Sequence, residues 1–237
     1  MSSCKYCKGV GYIVENGKIS DCICFIEKRN RYRLQVSGVP LNVDGDLNQF
    51  FLDRDADNNK LREADRKKKQ EAKDIIEHYI NKLSDIVHNN VVFSYIDNKN
   101  RELRGNNLLI YGGTRSGKTL LSVAIAKKAI VDLKILTYYI DWAKIIMAIM
   151  DQDSYNYKNL CSIFNKVKLL IIENIDSSML PSEKFRYKLD NLFLSRYHNM
   201  SPTIFTSFDR DINYDFIGNV LSSMIKEAIR VDLPSTL

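Results

Sequence analysis

Glycine and proline are scarce in this chain, ten and four among 237 residues. Such a composition argues against a low-complexity or disordered architecture. No apolar run approaches the ~20 residues that a membrane span needs. The opening "MSSCKYCKG" lacks the apolar core of a secretion signal. No internal repeat is visible. A strong charge of either sign is missing as well: the formal net charge is +6, which permits contact with nucleic acid without demanding it. These absences leave a globular protein expected in the cytoplasm, without a membrane partner. It is long enough for one ordinary domain plus a small module.

Cysteine is also sparse, at five residues, but four of them fall in the first 24 positions. In a reducing compartment, clustered cysteines suggest metal before disulfides. Cys4-x-x-Cys7 and Cys22-x-Cys24 form two close pairs, and four thiolates can close a tetrahedral zinc site. Zinc would supply folding energy that so short a segment cannot draw from a core. Free thiols and a disulfide pair are the alternatives. Residues 1–40 carry a basic excess that survives metal binding, with Lys28, Arg29, Arg31 and Arg33 close together. That quartet is either a partner or phosphate contact or a solvated helix face. Cys161 reads as a small core residue.

Beyond Ser37–Pro40, read as a turn, "DRDADNNK" is polar and linker-like. A helix is predicted from Leu61. Ala72, Ile75, Ile76, Tyr79, Ile80, Leu83 and Ile86 recur at spacings of three and four and share a face. The charged run "ADRKKKQEAK" is expected to cover its solvated start. From "NNLLIYGG" onward, short apolar runs alternate with helical patterns: "KTLLSVAIAKKAIV", "KILTYYI", "WAKIIMAIM", "KLLIIE", "SEKFRYKLDNLFLSRY", "PTIFTSF" and a closing helix in "IGNVLSSMIKEAI". The alternation predicts an α/β fold, a parallel sheet flanked by helices. The expected division is a zinc-binding module at 1–52, a charged linker and helix start at 53–70, and the α/β domain at 71–237.

"GGTRSGKT", Gly112 to Thr119, fits the phosphate-loop pattern G-x-x-x-x-G-K-S/T. A chain of this length matches it by accident only roughly once in a hundred. The match also follows a predicted strand and opens a predicted helix. Backbone amides of Gly112, Gly113, Thr114, Arg115, Ser116 and Gly117 would cradle phosphate oxygens at a helix N-terminus. Lys118 would reach the β- and γ-phosphates, and the Thr119 hydroxyl would ligate Mg²⁺. Glu173 is read as the only acid that directly ends a buried apolar run, on a neighbouring strand, and is expected to complete the Mg²⁺ site. Asn174 follows it, an amide where a proton acceptor is wanted.

With these residues in hand, the chain resembles the bacterial and phage replicative helicase loaders of the DnaC and DnaI type. Their AAA+ ATPase domain is shared with the IstB transposition helpers. The resemblance rests on "CKYCKGVGY…CICF", "SGVP", "NNLLIYGGTRSGKTLLSVAIAKKA", "KLLIIENID" and "SRYHNMSPTIFTSF", and it covers nearly the whole chain. The composition suggests a short version from a phage or mobile element. The resemblance implies an ATP-dependent adaptor that delivers a ring-shaped helicase onto single-stranded DNA, with Zn²⁺, ATP and Mg²⁺ bound and self-association on the ring open. Residues 1–40 would dock the helicase. If DNA is bound, affinity should fall steeply with salt. Tyr138, Tyr139, Tyr155 and Tyr157 are candidate stacking residues, the first two better explained by packing.

Three departures from the family bear on mechanism. Asn174 stands where the second acid is usual, with Asp176 as a rescue if the strand runs longer. Phe208 stands where a polar residue usually senses the γ-phosphate. The closing helix has no arginine before Arg230. With Lys118, Glu173 and Asn174 as its catalytic set, the site is expected to hold ATP mainly as a switch and to turn it over slowly or with a partner's help. The alternatives are a transposition helper acting on double-stranded DNA and a small-molecule phosphate-loop kinase. The latter would need an arginine-rich lid that the sequence does not show.

Overall fold

The computed structural model describes residues 4–50, 52, 54, 60–151, 155–176, 183–208, 210, 212 and 217–234. Most of the polar stretch 53–60 lies outside them. Within it, Arg54 and Lys60 form an isolated antiparallel bridge.

The chain opens with an antiparallel hairpin, β1 (Tyr12–Glu15) and β2 (Lys18–Asp21), followed by helix α1 (Ile23–Val36). Helix α2 (Glu63–Asn89) is the longest. It carries Glu63 and Asp65 in its first turn and His88 in its last, which complements the helix dipole. It stops at Asn90, which adopts the left-handed conformation that asparagine tolerates. Its buried stripe includes all seven residues of the predicted face. Lys69, expected in the solvated run, is instead buried. Its Nζ donates to the Arg54 carbonyl and stands 4.8 Å from the Phe50 ring centroid. A long side chain can bury its stem when its ammonium finds an acceptor.

A second hairpin, β3 (Ser94–Ile96) and β4 (Glu102–Arg104), precedes the alternating part. There β5 (Leu108–Tyr111), α3 (Lys118–Lys127), β6 (Thr137–Asp141), α4 (Trp142–Met150), α5 (Tyr155–Lys166), β7 (Leu169–Ile175), α6 (Glu183–His198), β8 (Thr203–Ser207), α7 (Asn219–Lys226) and β9 (Ile229–Asp232) follow in turn. Five strands make one parallel sheet in the order β6-β7-β8-β5-β9. Alternate residues of each strand face opposite layers. Leu169 and Ile171 pack with α2 and α3, whereas Leu170 and Ile172 pack with α4 to α7. Both faces are therefore covered, which is why these strands read as continuous apolar runs.

Three expectations need correction. The closing helix ends at Lys226, and the chain continues into the edge strand β9, so Arg230 lies on a strand. Short β-branched segments at a sheet edge share their apolar pattern with helix ends. The strand expected from Lys134 begins only at Thr137, after Lys134 takes a left-handed turn. Third, β7 and β5 are not adjacent, because β8 lies between them. Leu34, Val39 and Phe50 share one apolar cluster with α2, α3 and the sheet, so the residues just before the predicted linker pack with the α2–α3 layer of the α/β part. Cys161 packs against the other layer, as expected.

Arg196 of α6 is almost wholly buried. Its guanidinium donates to the carbonyls of Phe164, Val167 and Pro202 and to Thr203 Oγ1, at 2.7–3.2 Å. Burial lowers its pKa to about 9, which still leaves it charged at neutral pH. One planar fork thus ties the ends of α5 and α6 to the start of β8. Arg196→Met should lower stability by about 3 kcal/mol or more, because several buried acceptors lose their donors together. Arg196→Lys should recover little, since three donors on one point cannot serve four spread acceptors. Urea unfolding followed by circular dichroism checks both.

Candidate functional site

The loop Gly112–Gly117 joins β5 to α3 and ends in a left-handed Gly117. A side chain at Gly117 would meet the Phe50 ring at 2.5 Å, so backbone and ring pack where only glycine fits. The loop lies at the N-terminus of α3, whose first-turn amides have no partners within the helix. Ser116 Oγ is buried with no hydrogen-bond partner. A buried orphan hydroxyl in a ring of amides is a ready donor for a phosphate oxygen. Lys118 is buried, and its Nζ donates to the carbonyls of Gly112 and Gly113, both at 2.7 Å. Burial pushes its pKa below the ordinary lysine value, opposed by the Glu173 carboxylate.

Glu173 lies on β7, buried, and reaches α3 with both oxygens. Thr119 Oγ1 donates to Oε2 at 3.0 Å, and Ser122 Oγ donates to Oε1 at 2.6 Å. The Tyr139 hydroxyl lies 2.9 Å from the same serine oxygen and can donate to it. Burial, followed by the Glu173 charge, holds that hydroxyl protonated. Two cis oxygens of an octahedral Mg²⁺ shell stand about 3 Å apart, the spacing Thr119 and Glu173 already have. The residues present therefore fit the ion.

Asn174 departs from strand geometry. Its φ is +59°, and the register of β7 against β8 slips between Ile172 and Ile175. This is a β-bulge. Thr206 Oγ1 accepts from the Asn174 amide, and Ser207 Oγ donates to the Ile175 carbonyl, so hydroxyls of β8 repair the interrupted ladder. Asn174 Nδ2 donates to Asp141 Oδ2 at 3.0 Å. The strand runs to Ile175, which puts Asp176 immediately past its end, where its carbonyl accepts from Trp142 Nε1. Asp141 ends β6, so Glu173 is not the only acid that closes a buried strand. The signal was present in "TYYID". Ser122 and Thr206 had no sequence signal, because only the fold brings them to β7.

Phe208 follows β8 directly and is half-exposed, with its ring centroid 4.4 Å from Lys118 Nζ. Arg230 on β9 donates to the Arg210 carbonyl. Of the four tyrosine candidates only Tyr155 stands fully in solvent. Tyr139 is buried, and Tyr138 and Tyr157 pack against the α4–α7 layer.

The four early cysteines converge. All four sulfurs lie within 4.8 Å of one another, with Cys4–Cys22 at 3.7 Å and Cys7–Cys24 at 3.4 Å. Tetrahedral zinc with bonds of ~2.3 Å places its sulfurs about 3.8 Å apart, whereas a disulfide needs about 2 Å. The cysteines are free thiols. Gly11 N donates to Cys7 Sγ, an outer-shell contact that lowers the Cys7 pKa to about 6. The Cys24 thiol is pushed up to about 12, chiefly by its hydrogen bond with Cys7. Four thiolates cannot coexist there without a cation, and zinc fits the donor set. Within the basic quartet Arg29 is engaged with Asp21 at 2.8 Å and lies over Phe25, while Lys28 and Arg31 are exposed.

No helix among the described residues is long and apolar enough to cross a membrane. No protein-family model matches the chain, and no curated protein matches it. Solved structures do. DnaA from Aquifex aeolicus bound to AMPPCP aligns with a TM-score of 0.53 at 17% identity, over 78% of this chain and 50% of that one. A replication initiator DnaA bound to AMPPCP and single-stranded DNA aligns at 0.51 and 16% identity, over 70% and 46%. The DnaC helicase loader aligns at 0.50 and 15% identity, over 77% and 97%. The chain thus spans about half the length of the DnaA structures it matches. At these identities the likeness establishes the fold alone, a parallel sheet flanked by helices with a phosphate loop after β5.

Two outcomes are expected. Isothermal calorimetry with Mg²⁺ should register ATP binding by the parent and none by Lys118→Ala. Elemental analysis should find one zinc per chain at neutral pH. Protons compete with the metal for thiolates, so zinc should be retained as pH rises and released as it falls. Cys7→Ser should lose it at a higher pH than the parent.

Proposed function

We propose that this chain is an ATP-binding adaptor that delivers a ring-shaped replicative DNA helicase to single-stranded DNA. The observation that carries the reading is a join. An AAA+ core similar over most of its length to the DnaC helicase loader follows a cysteine cluster with zinc geometry. The core is the nucleotide-responsive part, and the segment before it is the docking part.

The docking surface is argued from exposure. In the β1–β2 hairpin Val14 and Ile19 face each other across the strands, and both are largely exposed. Tyr6, Val10 and Tyr12 extend the same module and are exposed too. A two-stranded hairpin cannot bury an apolar face against itself, and a contiguous exposed apolar patch marks a protein contact. Lys28 and Arg31 of α1 are exposed as well and offer positive charge to an acidic partner. With zinc in place the module is rigid enough to present this patch.

In the nucleotide site Gly112–Gly117 and Lys118 hold the phosphates of ATP. Thr119 and Glu173 would hold Mg²⁺, which would supply charge neutralisation to the phosphates. Helix α7 carries no arginine, and Phe208 offers no polar contact to a γ-phosphate. An arginine finger alone is worth ~10³–10⁵ in rate, so turnover by the isolated chain is slow and ATP acts chiefly as a switch. A helicase ring, or a second copy on it, supplies what is missing.

Size-exclusion chromatography with the host's ring helicase, run with ATP, ADP and neither, tests the reading. A co-eluting complex whose amount depends on ATP is expected. Val14→Asp with Ile19→Asp should abolish it and leave zinc content and ATP affinity unchanged. A helicase that never co-elutes with the parent would overturn the adaptor role.

A further inference from the structure

An acid is absent directly after Glu173, but one is present on the neighbouring strand. Asp141 ends β6 and pairs in register with Glu173 on β7. Tyr139, two residues earlier on β6, meets Ser122 of α3. Side chains alternate along a strand, so Asp141 shares the α3 face with Tyr139, and this is the face of the phosphate loop. Its Oδ1 accepts from Ala143 N and caps α4. Its Oδ2 accepts from Asn174 Nδ2.

The backbone at Asn174 is arranged for this contact. A left-handed non-glycine residue inside a strand is uncommon and persists only where its surroundings over-determine it. Here the bulge and Thr206 Oγ1 hold it. The choice of an amide follows from charge. An acid at 174 would be a third carboxylate beside Glu173 and its register partner Asp141, where like charges repel. An amide donates to Asp141 and still keeps its own Oδ1 as an acceptor.

We propose that Asp141 is the proton acceptor for ATP hydrolysis, with Asn174 holding it and presenting Oδ1 to the attacking water. The assignment rests on the nucleotide-site reading above. The water oxygen bonds to the γ-phosphorus. The bond from that phosphorus to the β–γ bridging oxygen breaks, and its electron pair stays with ADP. The proton lost by the water passes to the Asp141 carboxylate and then to solvent. This chain thus carries on β6 and β7 the acid and amide that together do the work of one following carboxylate.

Asn is as good a helix cap as Asp, so Asp141→Asn preserves the cap of α4 and replaces the basic Oδ2, which accepts from Asn174, with an amide nitrogen. Single-turnover hydrolysis of labelled ATP with Mg²⁺ is measured on the full chain, alone and with ring helicase and single-stranded DNA. Asp141→Asn should lose about a hundredfold or more in rate while ATP affinity stays within about threefold. The exchanged pair Asp141→Asn with Asn174→Asp should recover at least about tenfold over Asp141→Asn. An unchanged rate in Asp141→Asn, or no recovery in the exchanged pair, overturns the assignment. So does a parent that binds ATP yet releases no phosphate under any condition, although the nucleotide-site reading then stands. A parent that binds no ATP sinks that reading, and the assignment with it.

Discussion

Burying one carboxylate in the middle of a sheet constrains much of this molecule. An ionised acid removed from water costs several kcal/mol unless its oxygens are hydrogen-bonded. Glu173 is buried, and the chain meets the cost with Thr119 and Ser122, three residues apart on the first turns of α3. That spacing puts both hydroxyls on one helix face. Helix α3 must then lie over β7, although its own strand β5 is two places away in the sheet. The phosphate loop is the segment that makes this crossing. Its position, the acid and the helix therefore form one arrangement, in which Thr119 and Glu173 oxygens that would hold a magnesium ion are already in place.

The segment between the cysteine module and α2 belongs to the same arrangement. Gly38, left-handed, brings the Ser37 carbonyl to the amide of Tyr139 on the edge strand β6, so close that a side chain there would strike the Tyr139 carbonyl. The Asp44 carboxylate pairs with Lys127 at the end of α3 at 2.9 Å. Phe50 closes on Gly117 and is itself covered by Lys69. Three separate contacts thus tie residues 38–50 to β6, to the end of α3 and to the phosphate loop. Under the proposed function, a change in the loop on ATP binding would meet Phe50, which shares one apolar cluster with Val39 and with Leu34 of α1, the helix that follows the cysteines.

Features with a local cause were legible in the sequence. The phosphate loop, the α2 face and the alternation of strands with helices follow from spacing within one segment, and the fold places each as expected. The convergence of Cys4, Cys7, Cys22 and Cys24 was legible because thiols at metal spacing have few other uses. What escaped was long-range. Strand β9 looked like the end of a helix because four residues cannot distinguish the two periods. The insertion of β8 between β5 and β7 is a property of topology alone. The bulge at Asn174 depends on Thr206 and Ser207, some thirty residues away. The Asp141–Asn174 pair is the instructive case. Each residue stood at the end of an apolar run in plain view, but their relation exists only once β6 and β7 are in register.

The arrangement around Lys118 shows how binding can be linked to motion. Its buried ammonium is satisfied by two loop carbonyls and by the face of Phe208. A cation over an aromatic ring is stabilised more when water is excluded, so Phe208 helps to hold the lysine in its folded-back position. A triphosphate offers a far stronger partner, a charge-assisted bond to an oxyanion. When Lys118 turns to it, the two carbonyls and the ring lose their cation together. Phe208 directly follows β8, whose last two residues repair the bulge at Asn174. Exchange of one lysine partner therefore reaches the strand that sets the Asp141–Asn174 geometry without any further device. A polar residue at 208 would bond the γ-phosphate itself. A phenylalanine would respond instead to where the lysine is, which suits the proposed use of ATP as a switch.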